Sequence, residues 1–263
     1  MNFSVELIER IQLLAAKTLA THPVGCGLCL VGGFRYRLLN GSARASTDID
    51  YHWEGNLQKK QTEVVEVFRS KLLPEVKQQL DFDGDVRPAT GPDAESPVVR
   101  TVKLAFYRAA EHGSRIEIPV DIISVARLDK PIVRTVEGTV FLTVSDADMI
   151  EGKILSCLAR SILQVRDVLD IFFFLDALRP DSPRRLSQIL SKIELPPAEA
   201  IEKLNKLANN RTVHVRGIDR VLDEQVEPAV TGNLRAAGGA EMIWDTVMHL
   251  LNEILAKTEE LSS

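Results

Sequence analysis

"VGGFRYRLLNGSARASTDIDYHW", residues 31–53, sets a glycine pair behind an apolar run and closes on two aspartates one residue apart. The preceding run, "CGLCLV" (26–31), is short and apolar, and "FRYRLLN" after the glycines reads as a helix that stops near Asn40-Gly41. In "TDIDYHW" polar and apolar residues alternate, so Asp48, Asp50 and His52 share one strand face while Ile49 and Tyr51 take the other. The stretch therefore predicts strand, glycine turn, helix, strand. A glycine pair at Gly32-Gly33 lets the backbone approach a ligand closely, and the amides that open the following helix favour phosphate oxygens. Two carboxylates a strand repeat apart can hold a divalent metal between themselves and a triphosphate.

Working outward, "SVELIERIQLLAAKTLA" (4–20) places Val5, Ile8, Ile11 and Leu14 at helical spacing with Ser4 as N-cap. Residues 57–80 read as helical, and 81–97, dense in Gly, Pro and Asp, as a loop in which "DFDGD" is a turn. Residues 98–108 and 115–125 are β-rich, joined by a hairpin connection at 109–114. Along the second, apolar Ile116, Ile118, Val120 and Ile122 alternate with Glu117, Pro119 and Asp121. Asp121 could supply a third carboxylate and complete a two-metal site, or simply end an edge strand. From Ser145 onward the patterning is continuously helical, which sets a boundary near residue 144. The expected domains are residues 1–144 and an all-helical 145–263, an α+β class.

Composition is ordinary for a globular chain of 263 residues, 45% hydrophobic and 26% charged. A net charge of -5 speaks against a surface that grips nucleic acid throughout, leaving room for a local basic patch. No apolar run approaches the ~20 residues that span a bilayer, and the opening carries acids where a secretory signal places bases, so a cytoplasmic location is expected. Cys26, Cys29 and Cys157 complete no zinc pattern and are expected to be buried thiols. His22, His52, His112, His214 and His249 show no metal spacing. Arg35, Arg37 and Arg44 form a cationic run that is either a solvated face or a phosphate-neutralising patch.

Taken together, Gly32-Gly33, the intervening helix, "R-x-S-x-D-x-D" at Arg44, Ser46, Asp48 and Asp50, and "VDI" at 120–122 resemble the core of the DNA polymerase β-like nucleotidyltransferase superfamily, a mixed sheet flanked by helices. "EGKILSCLARSILQVRDVLDIFFFL" (151–175) is similar to the "K … RD-x-x-D" helical signature of AbiEii/AbiGii-type toxins of type IV toxin–antitoxin (abortive infection) systems. The resemblance covers residues 28–175 and implies a magnesium-dependent transfer of a nucleoside monophosphate from an NTP to an acceptor hydroxyl, with tRNA or another RNA as acceptor. It implies that Asp48 and Asp50 bind two magnesium ions with Asp121 as third carboxylate, and that Asp167 is needed for activity. It assigns Lys153 to the triphosphate, Gly32, Gly33, Arg44 and Ser46 to nucleotide binding, and gives the helical domain a share in the active site. A cognate antitoxin is implied as genetic partner, without requiring that it bind the toxin. One departure concerns the turn, where that family commonly has Gly-Ser: the hydroxyl is missing here and the backbone amides remain.

Two other functions fit the same residues. A small-molecule nucleotidyltransferase, such as an antibiotic-modifying one, would share the core and accept a different hydroxyl. A non-catalytic relative would keep the fold to hold a nucleotide or protein. Taken singly, the motifs have plainer readings: a D-x-D as a solvated strand end, Lys153 as a solvated helix lysine, and Arg166 with Asp170 as a helix ion pair.

Overall fold

The computed structural model describes residues 4–90, 96, 98–108, 115–125 and 127–260. The connection expected at 109–114, with His112 in it, and positions 91–95 and 97 of the expected loop lie outside the described residues. The chain divides into two compact units, Met1–Val125 with Pro131–Val144, and Ala126–Lys130 with Ser145–Ser263.

The first unit opens with α1 (Val5–Ala20), capped by the Ser4 hydroxyl, which accepts from the Leu7 amide at 3.3 Å. Its buried face runs from Ile11 through Leu14 and Ala15 to Leu19. Val5, expected on that face, is exposed at the helix start, whereas Leu7 and Ile8 just after it pack against the core. A 3-10 turn (Pro23–Gly25) leads into β1 (Cys29–Val31), and α2 (Gly32–Asn40) follows with no intervening loop. Gly41 stops α2 in the left-handed region at φ 64°, a conformation that suits glycine. Cys29 is buried as expected, but Cys26 is exposed, because it sits on the turn before the strand rather than in the strand.

β2 (Ile49–His52) precedes α3 (Leu57–Val67), a π-helical turn (Phe68–Leu72) and α4 (Leu73–Leu80). The helix expected over 57–80 is therefore one run widened just before Pro74, where the ring removes an amide donor. Next come β3 (Asp83–Pro88), β4 (Val99–Tyr107), β5 (Arg115–Ile123), β6 (Ile132–Val136) and β7 (Thr139–Thr143). β3 corrects the sequence reading of 81–88 as loop, and of "DFDGD" as a turn. It pairs antiparallel with β4 from Asp83↔Tyr107 to Pro88↔Val102 and buries Val86. The ladder overrides the turn-rich composition, and Pro88 is tolerated at the last position of an edge strand.

The seven described strands form one mixed sheet in the order β3-β4-β5-β2-β1-β7-β6. β1 runs antiparallel to β2 and parallel to β7, while β2 runs parallel to β5. β5 is thus an interior strand, so Asp121 does not end an edge strand. The core of this unit gathers Phe34, Ile49, Phe68, Phe82, Leu104, Phe106, Ile118 and Val120.

The second unit is helical: α5 (Asp146–Ala159), α6 (Val165–Phe173), a 3-10 turn (Leu175–Ala177), α7 (Ser182–Lys192), α8 (Pro197–Asn209), α9 (Arg211–Gln225), α10 (Pro228–Ala236) and α11 (Gly239–Glu260). Ser145 caps α5 by accepting from the Asp148 amide at 3.0 Å. The long α11 packs against α6, α7, α8 and α9, burying Ile243, Trp244, Val247 and Leu251. Among the described residues no helix is long and apolar enough to cross a membrane.

Truncating Phe106, which has no exposed surface, removes a full ring from the sheet's core. Phe106→Ala is expected to cost about 3–5 kcal/mol in urea unfolding. Val133→Ala, at a position 63% exposed on β6, should stay within about 0.5 kcal/mol of the parent.

Candidate active site

Three strands of the first unit align the acidic residues. Val31, the last residue of β1, lies opposite Asp50 of β2, and Asp50 lies beside Asp121 of β5 in parallel register. Register neighbours on adjacent strands stand about 4.8 Å apart and present their side chains on the same face. Asp50 and Asp121 therefore form a carboxylate pair across the middle of the sheet. Gly32 follows Val31 at φ 76°, and a Cβ there would come within 1.8 Å of Asp50 Oδ2. The Asp50 carboxylate therefore rests against the bare Cα of the turn. α2 begins at this glycine, and its N-cap residue, Val31, has no side-chain oxygen to offer the first amides.

Hydroxyl groups aim two of the three aspartates. Ser46 Oγ donates to Asp48 Oδ1 at 2.7 Å, and Thr101 Oγ1, on the register partner of Asp121 in β4, donates to Asp121 Oδ1 at 2.5 Å. Behind Asp48, Gln12 of α1 spans the loop: its Nε2 donates to the Ser46 carbonyl at 2.9 Å and to that of Asp48 at 3.3 Å. Gln12 and Thr101 were not singled out from the sequence. The signal for Gln12 is an amide between Ile11 and Leu14 on an otherwise apolar face; Thr101 carries none until β4 and β5 are in register. The donor set is oxygen-only, the chemistry of a hard divalent cation. Among the described residues, however, no group of three or more His, Cys, Asp and Glu side chains is arranged to hold a metal ion. What the fold brings together is the Asp50–Asp121 pair, with Asp48 two positions before Asp50.

The arginine run is neither a solvated face nor a phosphate patch open to solvent. Arg35 is wholly buried, with Nε donating to Thr143 Oγ1 at 3.1 Å and Nη2 to the Val144 carbonyl at 3.2 Å. Arg37 pairs with Glu9 at 2.7 Å and donates to the Ser42 carbonyl at 2.6 Å. Arg44 is buried and donates to the Ala45 carbonyl at 3.0 Å. The chain uses these guanidiniums, with donors in a fixed fork, to satisfy carbonyls around the α2 turn. His52 is likewise a buried structural histidine, its Nδ1 accepting from the Val125 amide at 3.1 Å.

In the helical unit, α5 and α6 share a charge cluster. Lys153 Nζ lies 2.6 Å from Asp167 Oδ1 and 2.9 Å from Asp170 Oδ2, and Arg160 reaches Asp167 Oδ2 at 2.9 Å. Both carboxylates are buried, so Lys153 is not the solvated lysine of the plainer reading, and Asp170 has Lys153 as a partner. Burial pushes the neighbouring Cys157 thiol up, which keeps it neutral beside the cluster.

A second cluster, absent from the sequence reading, centres on Arg185 of α7. Its guanidinium engages Glu151 at 2.9 Å, Asp129 at 2.8 Å and Asp148 at 2.8 Å, while Ser182 Oγ donates to Glu151 at 2.7 Å. Desolvation pushes the Glu151 carboxyl above its ordinary range against the pull of Arg185. Burial opposes the ionisation of Asp129, but the Ser145 hydroxyl and Arg185 hold its carboxyl below the usual value.

With the geometry in place, comparison with known proteins is informative. The profile of the family described as "Nucleotidyl transferase AbiEii toxin, Type IV TA system" matches residues 12–232. Among solved structures, JHP933 from Helicobacter pylori is similar at 16% identity and a TM-score of 0.56, with 100% of this chain and 96% of that one covered. A second H. pylori protein, described as a candidate nucleotidyltransferase, is similar at 15% identity and a TM-score of 0.56, covering 99% of each chain. At such identities the likeness concerns the fold. Among curated proteins no relative matches the chain.

Two outcomes are expected from the site's packing. Gly32→Ala must move the Asp50 carboxylate and force a side chain into positive φ, costing about 1–3 kcal/mol in denaturant unfolding. Lys153→Met removes the ammonium that bonds both buried carboxylates, and should cost about 3–5 kcal/mol by the same measurement.

Proposed function

Because this chain belongs to the AbiEii nucleotidyl transferase toxin family of type IV toxin–antitoxin systems, it is a nucleotidyltransferase, and we propose that it moves a nucleoside monophosphate from an NTP to the hydroxyl of an RNA, with a tRNA end as the leading acceptor. In this reading the acceptor oxygen attacks the α-phosphorus, the bond to the bridging oxygen breaks, and pyrophosphate leaves. The hydroxyl proton passes to a carboxylate, a role we assign to Asp121.

The observation that carries the reading is the alignment of Val31, Asp50 and Asp121 across β1, β2 and β5 with Gly32 at its end. The Gly32-Gly33 amides at the start of α2 are suited to phosphate oxygens. Asp50 and Asp121, joined by Asp48, would hold magnesium, which when bound neutralises charge on the triphosphate and lowers the pKa of the attacking hydroxyl. Ser46 and Arg44 shape this end of the site, and we assign Lys153, steadied by Asp167, to the nucleotide's phosphates. A cognate antitoxin is the expected genetic partner, and the cytoplasm the expected location.

Incubating the protein with each α-labelled NTP and total cellular RNA tests this reading. Label should enter RNA in the presence of magnesium, stop with EDTA and return on adding magnesium back. Asp50→Asn and Asp121→Asn should each lower transfer by about 10²-fold or more with the fold retained. Incorporation that either variant leaves intact refutes the assignment; label that enters hydroxylated small molecules in place of RNA redirects it to the small-molecule acceptor.

A further inference from the structure

Position 33, the second glycine of the turn, is also too tight for a side chain. A Cβ built on Gly33 would stand 2.6 Å from Arg44 Nη2 and 2.8 Å from Ser46 Oγ, closer than side-chain carbons approach such atoms, yet 3.4 Å from Ser46 Cβ, an ordinary contact. The obstacles are thus one flexible guanidinium end and one hydroxyl. That hydroxyl is buried and points away from bulk water, donating to Asp48 Oδ1 at 2.7 Å. Its residue is held from behind by the fully buried Gln12, whose amide bonds the carbonyls of both Ser46 and Asp48.

Asp48 stands just ahead of β2, at the end of the loop that returns from α2, so no strand ladder orients its carboxylate. An O–H···O⁻ bond is among the stronger single contacts available to a carboxylate, and here it comes from a residue that is itself clamped. The space for the donor exists because position 33 carries no side chain. A side chain at position 33 would therefore compete for space with the Ser46 hydroxyl and with the end of Arg44.

We propose that Ser46 is the positioning residue for Asp48, and that Gly33 is glycine so that the Ser46 hydroxyl can occupy the side-chain space of the turn. The proposal rests on the nucleotidyltransferase reading for its catalytic half, while its spatial half is independent of it. Ser46 acts through Asp48 rather than on the nucleotide, so its loss should lower turnover without weakening NTP binding. A carboxylate displaced by about an ångström is enough to cost up to ~10²-fold in rate.

Four variants test this: Ser46→Ala, Ser46→Thr, Gly33→Ser and the double variant Gly33→Ser with Ser46→Ala. They are read by thermal unfolding and by label transfer from the best α-labelled NTP to total RNA. Ser46→Ala should lower kcat about tenfold to a hundredfold, with the KM for NTP within about twofold, and Ser46→Thr, which keeps the hydroxyl, should retain most of the rate. Gly33→Ser should lower Tm by roughly 3–8 °C through overpacking, and adding Ser46→Ala should recover at least half of that loss, because the second change vacates the contested space. Unaltered kcat in Ser46→Ala, a rise in KM that accounts for its whole defect, or strictly additive Tm losses in the double variant would each overturn the proposal. A parent protein that transfers no label from any NTP to RNA or to hydroxylated small molecules removes the catalytic reading of the carboxylates and the positioning role with it, and the competition for space between positions 33 and 46 then stands or falls on Tm alone.

Discussion

The Asp50 carboxylate lies where a side chain on Gly32 would be, and most of the first unit's geometry follows from that exclusion. For a carboxylate to stand over a backbone turn, the turn must have no Cβ and must adopt a positive φ, which glycine does at little cost. The position is reached only if β1 ends opposite Asp50, which the antiparallel ladder to β2 ensures. Because β2 also runs parallel to β5, the same register sets Asp121 beside Asp50. Two like charges on neighbouring strands are unfavourable in isolation, by a few tenths of a kcal/mol to about 1 kcal/mol. The fold nevertheless keeps this pair in the middle of its sheet, next to the start of α2.

The supporting contacts show a consistent device, in which hydroxyls aim carboxylates while an amide and guanidiniums tie down carbonyls. Ser46 and Thr101 do the former, and Gln12, Arg35, Arg37 and Arg44 the latter. The helical unit relies instead on charge clusters with little access to water. Lys153 between Asp167 and Asp170, and Arg185 among Asp129, Asp148 and Glu151, are costly to desolvate, and such groups contribute little net stability relative to an apolar core. Their consequence is specificity of packing, since each member is strongly unfavourable without its partners. Arg185 also ties Leu128 and Asp129 into the helical unit, through Asp129 directly and through Asp148, which accepts from the Leu128 and Asp129 amides.

Much of this was legible in the order of residues. Alternation in "TDIDYHW" and in "RIEIPVDII" announces strands with acids on one face, and the glycine pair announces the turn, because side-chain period and φ preference are local properties. The helical character of residues beyond 144 was equally plain from apolar spacing. Two departures share one cause. Asp83–Pro88 has a turn's composition and becomes a strand because β4 offers it a ladder; Arg35 sits in a cationic run and is buried because distant Thr143 and Val144 accept from it.

The sequence by itself determined the vocabulary of the protein: a glycine turn, two strands carrying aspartates, a helical second half with a lysine ahead of "RDVLD", and through these a family. Only the tertiary structure decided which of these residues are neighbours. That Asp50 stands beside Asp121, that Thr101 aims Asp121, and that Gly33 yields its space to Ser46 are matters of strand register and of contacts that no local pattern fixes. Local periodicity says which way a side chain faces; it carries no information about what stands opposite.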